Sequence, residues 1–274
     1  EAGLPRIAGP FAFILWDAAR RELHAARDAL GRRGLFLLQD GERIVLASEP
    51  GAVLGDGAAA AELDDVFLAH YFALRRAPLG RTLYRFVSEL PAGHASCFTA
   101  EGRRDRRHAA SSLPPIHYPR MEDYAARFAE LLARAVARRL RALGPPAVTM
   151  SGGLDSTTVA ALAARDLAGA VPPRRLDVLS YVFDDLSQLD ERRWMAPMVE
   201  RYGLRQVQVP ADEAWPLCDF AAWRWSPNGP DSGPFRPLNE RLYAAARAGG
   251  HRVLLTGAAG DSFGCAVAVS GDSA

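Results

Sequence analysis

The first third of the chain alternates short apolar stretches with turn residues, a pattern typical of β-structure. Residues 11–16 are apolar without interruption, which predicts a strand buried on both faces. Residues 22–27 and 95–99 have the length and composition of further strands, whereas residues 63–72 fit a short helix. We therefore expect a β-rich region with little helix at the start of the chain.

The dipeptide Asp40-Gly41 separates two more apolar stretches, residues 34–39 and 42–48. It is a strong hairpin signal, because a type I′ turn needs a positive φ at both of its central residues. We predict a β-hairpin with Asp40 and Gly41 at its tip.

The pattern changes after residue 119. Residues 121–143 carry apolar side chains at helical spacing and are followed by Gly-Pro-Pro, which stops a helix. Strand-like and helical stretches then alternate, which predicts a parallel sheet with helices on both faces. Pro197 removes a backbone donor inside one helix, so that helix is expected to kink or to start late. The predicted strands are 147–150, 176–183, 205–209 and 252–256, and the predicted helices are 156–167, 190–202 and 237–248.

A domain boundary is predicted between these two regions. Residues 103–107 form a polar run and residues 111–119 are rich in Pro and Ser, as in a linker. We therefore divide the chain into a β-rich domain, residues 1–118, and an α/β domain, residues 119–274.

Charge and cysteine content narrow the class of protein. The 274 residues have a formal net charge of +1, so no global field attracts nucleic acid or an anionic membrane. No apolar stretch is long enough to span a membrane, and no signal peptide is visible. Cys97, Cys218 and Cys265 lie far apart; this predicts neither a disulfide framework nor a zinc site, and favours the reducing cytoplasm. Five histidines show no metal-ligand spacing either: His70, His94, His108, His117 and His251.

Residues 151–156, Ser-Gly-Gly-Leu-Asp-Ser, lie between a predicted strand and a predicted helix and suit an anion site. The two glycines let the backbone approach a ligand, and the first N–H groups of the helix have no intrahelical partner. Ser151 and Ser156 can donate to phosphate oxygens. Asp155 would repel phosphate unless a cation such as Mg²⁺ bridges them. A plain glycine turn that opens a helix is the alternative interpretation.

Two other chemistries are excluded for this loop. All 33 basic residues are arginine, so the chain cannot form a Walker loop, which needs a lysine. A nucleophilic serine is not predicted either, because no G-x-S-x-G elbow is present.

A second constellation follows the last predicted strand, where residues 256–261 read Thr-Gly-Ala-Ala-Gly-Asp. If this strand neighbours the strand before Ser151, then Asp261 and Asp155 face the same crevice at the carboxyl ends of the strands. Two carboxylates there could hold Mg²⁺ with a polyphosphate. By itself, the segment could equally be a surface turn.

These two motifs resemble the ATP-site motifs of the asparagine synthetase family. The N-terminal residues are similar to the last part of that family's glutaminase domain, at 9–17, 26–28 with Gly31, 47–49 and 91–94. The resemblance spans nearly the whole chain. It implies a doubly wound parallel sheet of the PP-loop ATP-pyrophosphatase type, preceded by a partial α+β domain of the Ntn-hydrolase type.

The resemblance also implies an amide-forming ligase that uses ATP and Mg²⁺. A small-molecule carboxylate, aspartate in asparagine synthetases, attacks the α-phosphorus of ATP and releases pyrophosphate, and ammonia or an amine then displaces AMP. The implied pyrophosphate-binding residues are Ser151, Gly152, Gly153, Asp155 and Ser156. The implied catalytic residues and Mg²⁺ ligands are Asp155 and Asp261. The residues implied around adenine and ribose are Met150, Phe183, Thr256 and Gly257.

The chain also departs from the family pattern. It starts at Glu1 and not at the family's nucleophilic Cys, so we expect no glutaminase step from this chain. Ala258 and Ser262 stand where asparagine synthetases have acidic residues, and the family's C-terminal helical region is missing. A lasso-peptide or β-lactam-type cyclase and a non-catalytic, truncated nucleotide-binding remnant therefore remain as alternatives, and a homodimer is left open.

Overall fold

The computed structural model describes residues 3–41, 43–55, 61–109, 114–141, 144–223, 226–230, 233, 235–258 and 260. The chain divides into two compact units. The first contains Glu1–Ile116 with Arg224–Ser232, and the second contains His117–Trp223 with Gly233–Ala274. Across the described ranges, no helix is both long and apolar enough to cross a membrane.

Among its described residues, the first unit contains two antiparallel sheets and two short α-helices. Its strands are β1 (Ala12–Asp17), β2 (Glu22–Arg27), β3 (Phe36–Asp40), β4 (Arg43–Ala47), β5 (Val87–Glu89), β6 (His94–Thr99) and β7 (Gly102–Arg107). Its helices are α1 (Pro50–Leu54) and α2 (Asp65–Phe72). One sheet has the order β1-β2-β6-β7 and the other has the order β4-β3-β5.

The two sheets share one apolar core. Ala25 and Phe98 of the first sheet pack with Leu35, Leu37 and Leu90 on the side of the second sheet. The reverse face of the second sheet has its own cluster, formed by Val53, Tyr84 and Val87. Burial of alternate side chains is the expected pattern for strands with one face on a core.

Two sequence-based expectations for the first unit are wrong. Strand β1 was expected to be buried on both faces, but Ile14, Leu15 and Trp16 are exposed at 46, 57 and 57%. The reason is that β1 is an edge strand, which pairs only with β2 among the described strands. Residues 103–107 were assigned to a linker, but they belong to β7, which pairs with β6 along its whole length. Arginine-rich composition suits a solvent-facing edge strand.

The predicted hairpin is confirmed, with its tip displaced by one residue. Strands β3 and β4 are antiparallel, and Asp40 is the Cα partner of Arg43. Asp40 therefore belongs to β3 and not to the turn. Gly41 has a φ of +56°, a conformation that glycine adopts without a steric penalty.

The turn after β2 is held by two adjacent charged side chains, both buried. Arg27 donates to the carbonyl oxygens of Gly31 (2.7 Å), Arg33 (2.5 Å) and Leu90 (2.7 Å), and its Nη1 lies 2.6 Å from Glu89 Oε1. The Asp28 carboxylate accepts the backbone N–H groups of Leu30, Arg32 and Arg33 from the same turn and that of Phe11, which directly precedes β1. We call Arg27 and Asp28 the turn pair.

The second unit alternates strands and helices, as predicted. Its strands are β8 (Pro146–Thr149), β9 (Asp177–Val182), β10 (Arg205–Pro210) and β11 (Val253–Leu255). Its helices are α3 (Met121–Leu140), α4 (Leu154–Ala168), α5 (Arg192–Tyr202) and α6 (Arg236–Ala248). Helix α5 starts two residues later than its apolar pattern suggested and contains Pro197.

The four strands that the structure describes in the second unit are parallel, in the order β10-β9-β8-β11. Helices α3, α4 and α5 pack on one face, where Val136, Ala160 and Met195 meet Val148 and Val178. Helix α6 packs on the other face through buried residues, Leu242 and Ala246. The chain moves outward from β8 to β10 and then returns to the opposite side of β8. Open α/β sheets bind ligands at such a reversal, outside the carboxyl ends of the strands.

Candidate functional site

The loop between β8 and α4 lies at this reversal and is closed by two serines. Met150 extends the sheet, because its N–H donates to the Leu179 carbonyl oxygen (2.9 Å). The Ser151 N–H donates to Ser156 Oγ (3.0 Å), and the two serine hydroxyl oxygens lie 2.9 Å apart. The Gly153 N–H in turn donates to Ser151 Oγ (3.3 Å). The loop thus brings two hydroxyl groups together at the start of the helix.

Helix α4 begins without a side-chain cap. Its N-cap residue is Gly153, which has no side chain that could accept a hydrogen bond from the N–H groups of the first turn. The Thr157 N–H donates to the Gly153 carbonyl oxygen (3.2 Å). The N–H groups of the first turn, from Leu154 to Ser156, come before that bond and have no intrahelical acceptor. With the helix dipole they form a site that favours an anion.

The second sequence motif packs directly against this loop. Strand β11 pairs with β8, and Gly257 lies so close that a Cβ atom there would be 2.5 Å from the Ser156 backbone nitrogen. A Cβ atom at Gly260 would overlap the Asp155 carboxylate. The two motifs therefore meet, as the sequence suggested. Asp261, the second predicted metal ligand, lies outside the described residues.

A cavity of about 690 Å³ opens at the carboxyl ends of these strands, within the range of small-molecule sites. Every predicted site residue lines it except Gly152 and the undescribed Asp261. The sequence did not single out several other lining residues: Tyr181, Leu189, Glu191, Asn239, Leu242 and Tyr243. Three of them share helix α6, where Asn239 and Tyr243 are four residues apart, so a helical-face analysis of residues 237–248 could have found them.

Gly152 faces helix α5. Its N–H donates to Glu191 Oε2 (3.1 Å), and a Cβ atom on Gly152 would lie 2.5 Å from Trp194 Cβ. A carboxylate therefore occupies one N–H group of the loop that was predicted to hold pyrophosphate. Because that N–H can serve a phosphate oxygen only after Glu191 moves, the side chain competes with an anion for the loop.

A charge network fixes the backbone beside Phe183. The Asp190 carboxylate accepts the Phe183 N–H (3.2 Å) and lies 2.9 Å from Arg192 Nε. Arg192 also donates to Asp184 (2.7 Å) and to the Phe183 carbonyl oxygen (3.1 Å). The bonds from Arg192 lower the pKa of Asp190, and those carboxylates raise the pKa of Arg192. Phe183 is thus held at the cavity by both of its backbone polar groups.

Two further groups in the cavity differ in what they offer chemically. Burial raises the pKa of Tyr181 to about 12, and its hydroxyl donates to the Leu238 carbonyl oxygen (3.2 Å), so the phenol is neutral at pH 7. The Asp155 carboxylate is half-buried and receives no hydrogen bond from any described residue. It is therefore available to a cation. Carboxylate oxygens next to a helix terminus that favours anions suit Mg²⁺. The residues present therefore fit a phosphate group together with a Mg²⁺ ion.

Comparison with known proteins identifies the family. Residues 1–109 match the glutamine amidotransferase domain family, and residues 127–266, more than half of the chain, match the asparagine synthase family. The chain belongs to the asparagine synthase family.

The chain is 30% identical over 213 residues to asparagine synthetase [glutamine-hydrolyzing] 3 of Bacillus subtilis, covering 74% of this chain and 34% of that protein. It is 35% identical over 179 residues to a putative asparagine synthetase [glutamine-hydrolyzing] of Mycobacterium tuberculosis, covering 59% of this chain and 26% of that protein. A protein named Amidase chyE from Penicillium rubens is 25% identical over 276 residues, covering 94% of this chain and 40% of that protein. The chain thus spans less than half the length of these curated relatives.

Proposed function

We propose that the chain carries the ATP site of an AMP-forming carbon–nitrogen ligase that activates a carboxylate for amide formation. The observation that carries the proposal is the uncapped start of α4 at the reversal of strand order. Its first turn carries the Asp155 carboxylate, which has no hydrogen-bond partner among the described residues. This arrangement offers backbone donors to phosphate and a carboxylate to a cation. Membership of the asparagine synthase family supports the same activity.

In this proposal, the substrate carboxylate attacks the α-phosphorus of ATP, the bond to the bridging oxygen breaks, and pyrophosphate leaves. Nitrogen of ammonia or an amine then attacks the acyl carbon, AMP leaves and nitrogen loses a proton to solvent. The loop from Ser151 to Ser156 would hold pyrophosphate, including through Gly152 once Glu191 moves away. Asp155 and Asp261 would hold Mg²⁺, which neutralises phosphate charge. Adenine and ribose would lie against Met150, Phe183, Thr256 and Gly257.

The architecture proposed with this activity has two parts. Residues 119–274 would form a doubly wound domain of the PP-loop ATP-pyrophosphatase type. Residues 1–118 would form a partial glutaminase-like domain of the Ntn-hydrolase type. Buried free thiols at Cys97 and Cys218 agree with a reducing cytoplasm, and a homodimer is the assembly to test first.

Aspartate is the first carboxylate to test, with ammonia as the nitrogen donor. A lactam- or lasso-forming cyclase of the same family is the second candidate, favoured by Ala258. This small residue lines the cavity where asparagine synthetases have a glutamate, so the cavity lacks that charge. The relatives named as amidases align with nearly the whole of this chain and support a wider panel of acids.

ATP–pyrophosphate exchange with Mg²⁺ tests the proposal directly. The panel contains aspartate and other carboxylates, and the variants are Asp155→Ala and the matched control Asp166→Ala, an exposed position on the same helix. We expect Asp155→Ala to lower the exchange rate by roughly 10²–10³-fold, the effect of losing one transition-state stabilising group. The control should keep the rate.

The outcomes separate the candidates. Exchange that depends on aspartate supports an asparagine synthase, and exchange that depends on another acid supports a specialised amide or lactam former. If ATP binds but no acid supports exchange, the ligase proposal is wrong for this chain and a nucleotide-binding remnant is left.

A further inference from the structure

A group of three potential metal ligands lies on the sheet β1-β2-β6-β7, on the face opposite the shared core. Glu22 and His24 belong to β2 and Cys97 belongs to β6. One ligand atom from each residue lies within 4.8 Å of the other two. We call these residues the β2–β6 cluster. It belongs to the first unit and shares no residue with the cavity at the carboxyl ends of β8 and β11.

The sheet itself brings the cluster together. His24 and Cys97 are direct Cα partners in the antiparallel register, so their side chains lie on the same face as neighbours. Glu22 precedes His24 by two positions and therefore projects from that face as well. The intervening Leu23 packs toward the core with its own partner, Phe98. Sequence spacing could not reveal the cluster, because Cys97 is far from the other two residues along the chain.

The polar contacts of the cluster are compatible with a cation. Glu22 Oε2 lies 3.1 Å from His24 Nε2, and Glu22 Oε1 lies 3.7 Å from Arg104 on β7. A cation could replace the contact at Oε2 while Arg104 stays on Oε1 and orients the carboxylate, as outer partners of metal ligands commonly do. Cys97 is a free thiol with 7% exposure.

The cluster lies in a cavity of about 720 Å³, which Phe13 and Leu15 of β1 also line. Side chains of the cluster are thus reached from an open space, although the thiol is largely buried. The cavity is also lined by Asp17 and by three arginines, Arg20, Arg104 and Arg106, and the excess of positive charge opposes a cation. Ionisation of the thiol on metal binding adds a negative charge that offsets part of this repulsion.

We propose that Glu22, His24 and Cys97 bind one Zn²⁺ ion. Thiolate, imidazole and carboxylate are the ligands that zinc takes in proteins, at roughly 2.0–2.3 Å from the metal. Ligand atoms around one tetrahedral ion therefore lie roughly 3–4 Å apart, so small side-chain rotations suffice. A thiolate distinguishes this site from the oxygen-based Mg²⁺ site proposed beside α4, because soft ligands select zinc and not magnesium. With three protein ligands, water takes the fourth position, and the ion links β2 to β6.

The test uses the full chain in a Cys218→Ser, Cys265→Ser background, in which Cys97 is the only thiol. The apo protein is titrated with Zn²⁺ against a chromophoric chelator and, separately, with Co²⁺ to detect thiolate-to-cobalt charge transfer. The site variants are His24→Gln and Cys97→Ser, and the control is His117→Gln, an exposed histidine of the other unit. We expect one equivalent of zinc and a charge-transfer band in the background and control proteins, and loss of both in the site variants.

Zinc binding without the charge-transfer band, or with a band that survives His24→Gln, would overturn the proposal. So would the absence of stoichiometric binding, which would leave an ordinary His–Glu ion pair beside a buried thiol. If Cys97→Ser does not fold, X-ray absorption at the zinc edge of the background protein decides. One sulfur neighbour supports the site, and a shell of nitrogen and oxygen alone contradicts it.

Discussion

Asp28 in the first unit and Asp155 in the second both carry a carboxylate, but their surroundings are opposite. Asp28 follows β2, is buried, and accepts four backbone N–H groups. Asp155 lies in the first turn of α4, is half-buried, and receives no hydrogen bond from the described part of the chain. The hydrogen-bonding capacity of the Asp28 carboxylate is used within the protein, whereas that of the Asp155 carboxylate is available to a ligand.

This contrast distinguishes a carboxylate with a structural role, Asp28, from one that suits ligand binding, Asp155. Burial alone would raise the pKa of Asp28, but the bonds from Arg32, Leu30, Arg33 and Phe11 lower it below its usual range. The charged form is thus the folded form, and its role is to fix a turn. A carboxylate without a described hydrogen-bond partner beside N–H groups that have no intrahelical acceptor, as at Asp155, is typical of a binding site.

The largest effect is expected from Gly257→Ala in the second unit, which tests whether the region around Asp155 is a binding site. A Cβ atom there would meet the backbone of Asp155 and Ser156, which cannot swing away as a side chain can. Overpacking of this kind typically costs about 1–3 kcal/mol. If the loop must shift by that amount to accept ATP, the affinity for ATP should fall by roughly 5- to 100-fold. Equilibrium binding of a fluorescent ATP analogue measures the change.

Gly169→Ala is the matched control for Gly257→Ala. Gly169 lies at the other end of α4, has a φ of −80°, and would place its Cβ atom 3.6 Å or more from its neighbours. The Gly169→Ala variant should bind ATP with the affinity of the parent chain. Equal losses in both variants would show that glycine content, and not the contact between the two motifs, controls binding.

Asp28→Asn tests the other side of the contrast. We expect the free energy of unfolding of the first unit to fall by about 2 kcal/mol, since hydrogen bonds to charged groups contribute roughly 1.5–3 kcal/mol, while ATP binding stays intact. Hydrogen exchange of peptides from β2 and β3 measures the local loss, and Asp40→Asn, on an exposed strand end, is the control.

The sign of the acid dependence follows from the lowered pKa of Asp28. The ionised Asp28 carboxylate contributes fully to the free energy of unfolding above its pKa in the unfolded chain, about 3.9. That contribution is lost as the pH falls through its lower pKa in the folded protein. Acid titration of unfolding should therefore be steeper below about pH 4 in the parent chain than in Asp28→Asn. Parallel curves would contradict a structural role for this carboxylate.

The smallest expected effect comes from Glu191→Ala, which sharpens the account of the unsatisfied site. Removing the carboxylate frees the Gly152 N–H and takes a negative charge from the loop. A hydrogen bond of about 1 kcal/mol corresponds to roughly a fivefold gain in ATP affinity. The control is Glu200→Ala within helix α5, which should leave the affinity for ATP unchanged. Weaker ATP binding in Glu191→Ala would instead indicate that Glu191 helps to hold the cation.

Sequence patterns predicted the second unit better than the first, for a physical reason. Parallel strands buried between helices leave continuous apolar stretches, so β8, β9 and β10 could be placed from local signals. Strand β7 is solvated and rich in arginine, and only its pairing with β6 defines it. Strand β1 was recognised as a strand, but its burial was overestimated. Its apolar side chains indicated burial on both faces, and its edge position leaves several of them exposed.

The candidate site divides along the same line. Loop residues such as Ser151 and Ser156 could be proposed from composition and from their place between strand and helix. Glu191 and Tyr181 could not, because their positions in the cavity depend on how α5 and β9 pack around the loop. The β2–β6 cluster depends on strand register, which no spacing rule encodes.

The guanidinium of Arg27 has a consequence for which substitutions the turn pair tolerates. Its three nitrogens contact three carbonyl oxygens and one carboxylate, in different directions within one plane. A lysine has a single nitrogen at the end of a flexible stem and cannot span those acceptors. Arg27→Lys would keep the positive charge but leave buried carbonyl oxygens without a hydrogen-bond donor, which lowers the stability of the turn. Any homologue that carries lysine at this position must therefore close the turn by another route.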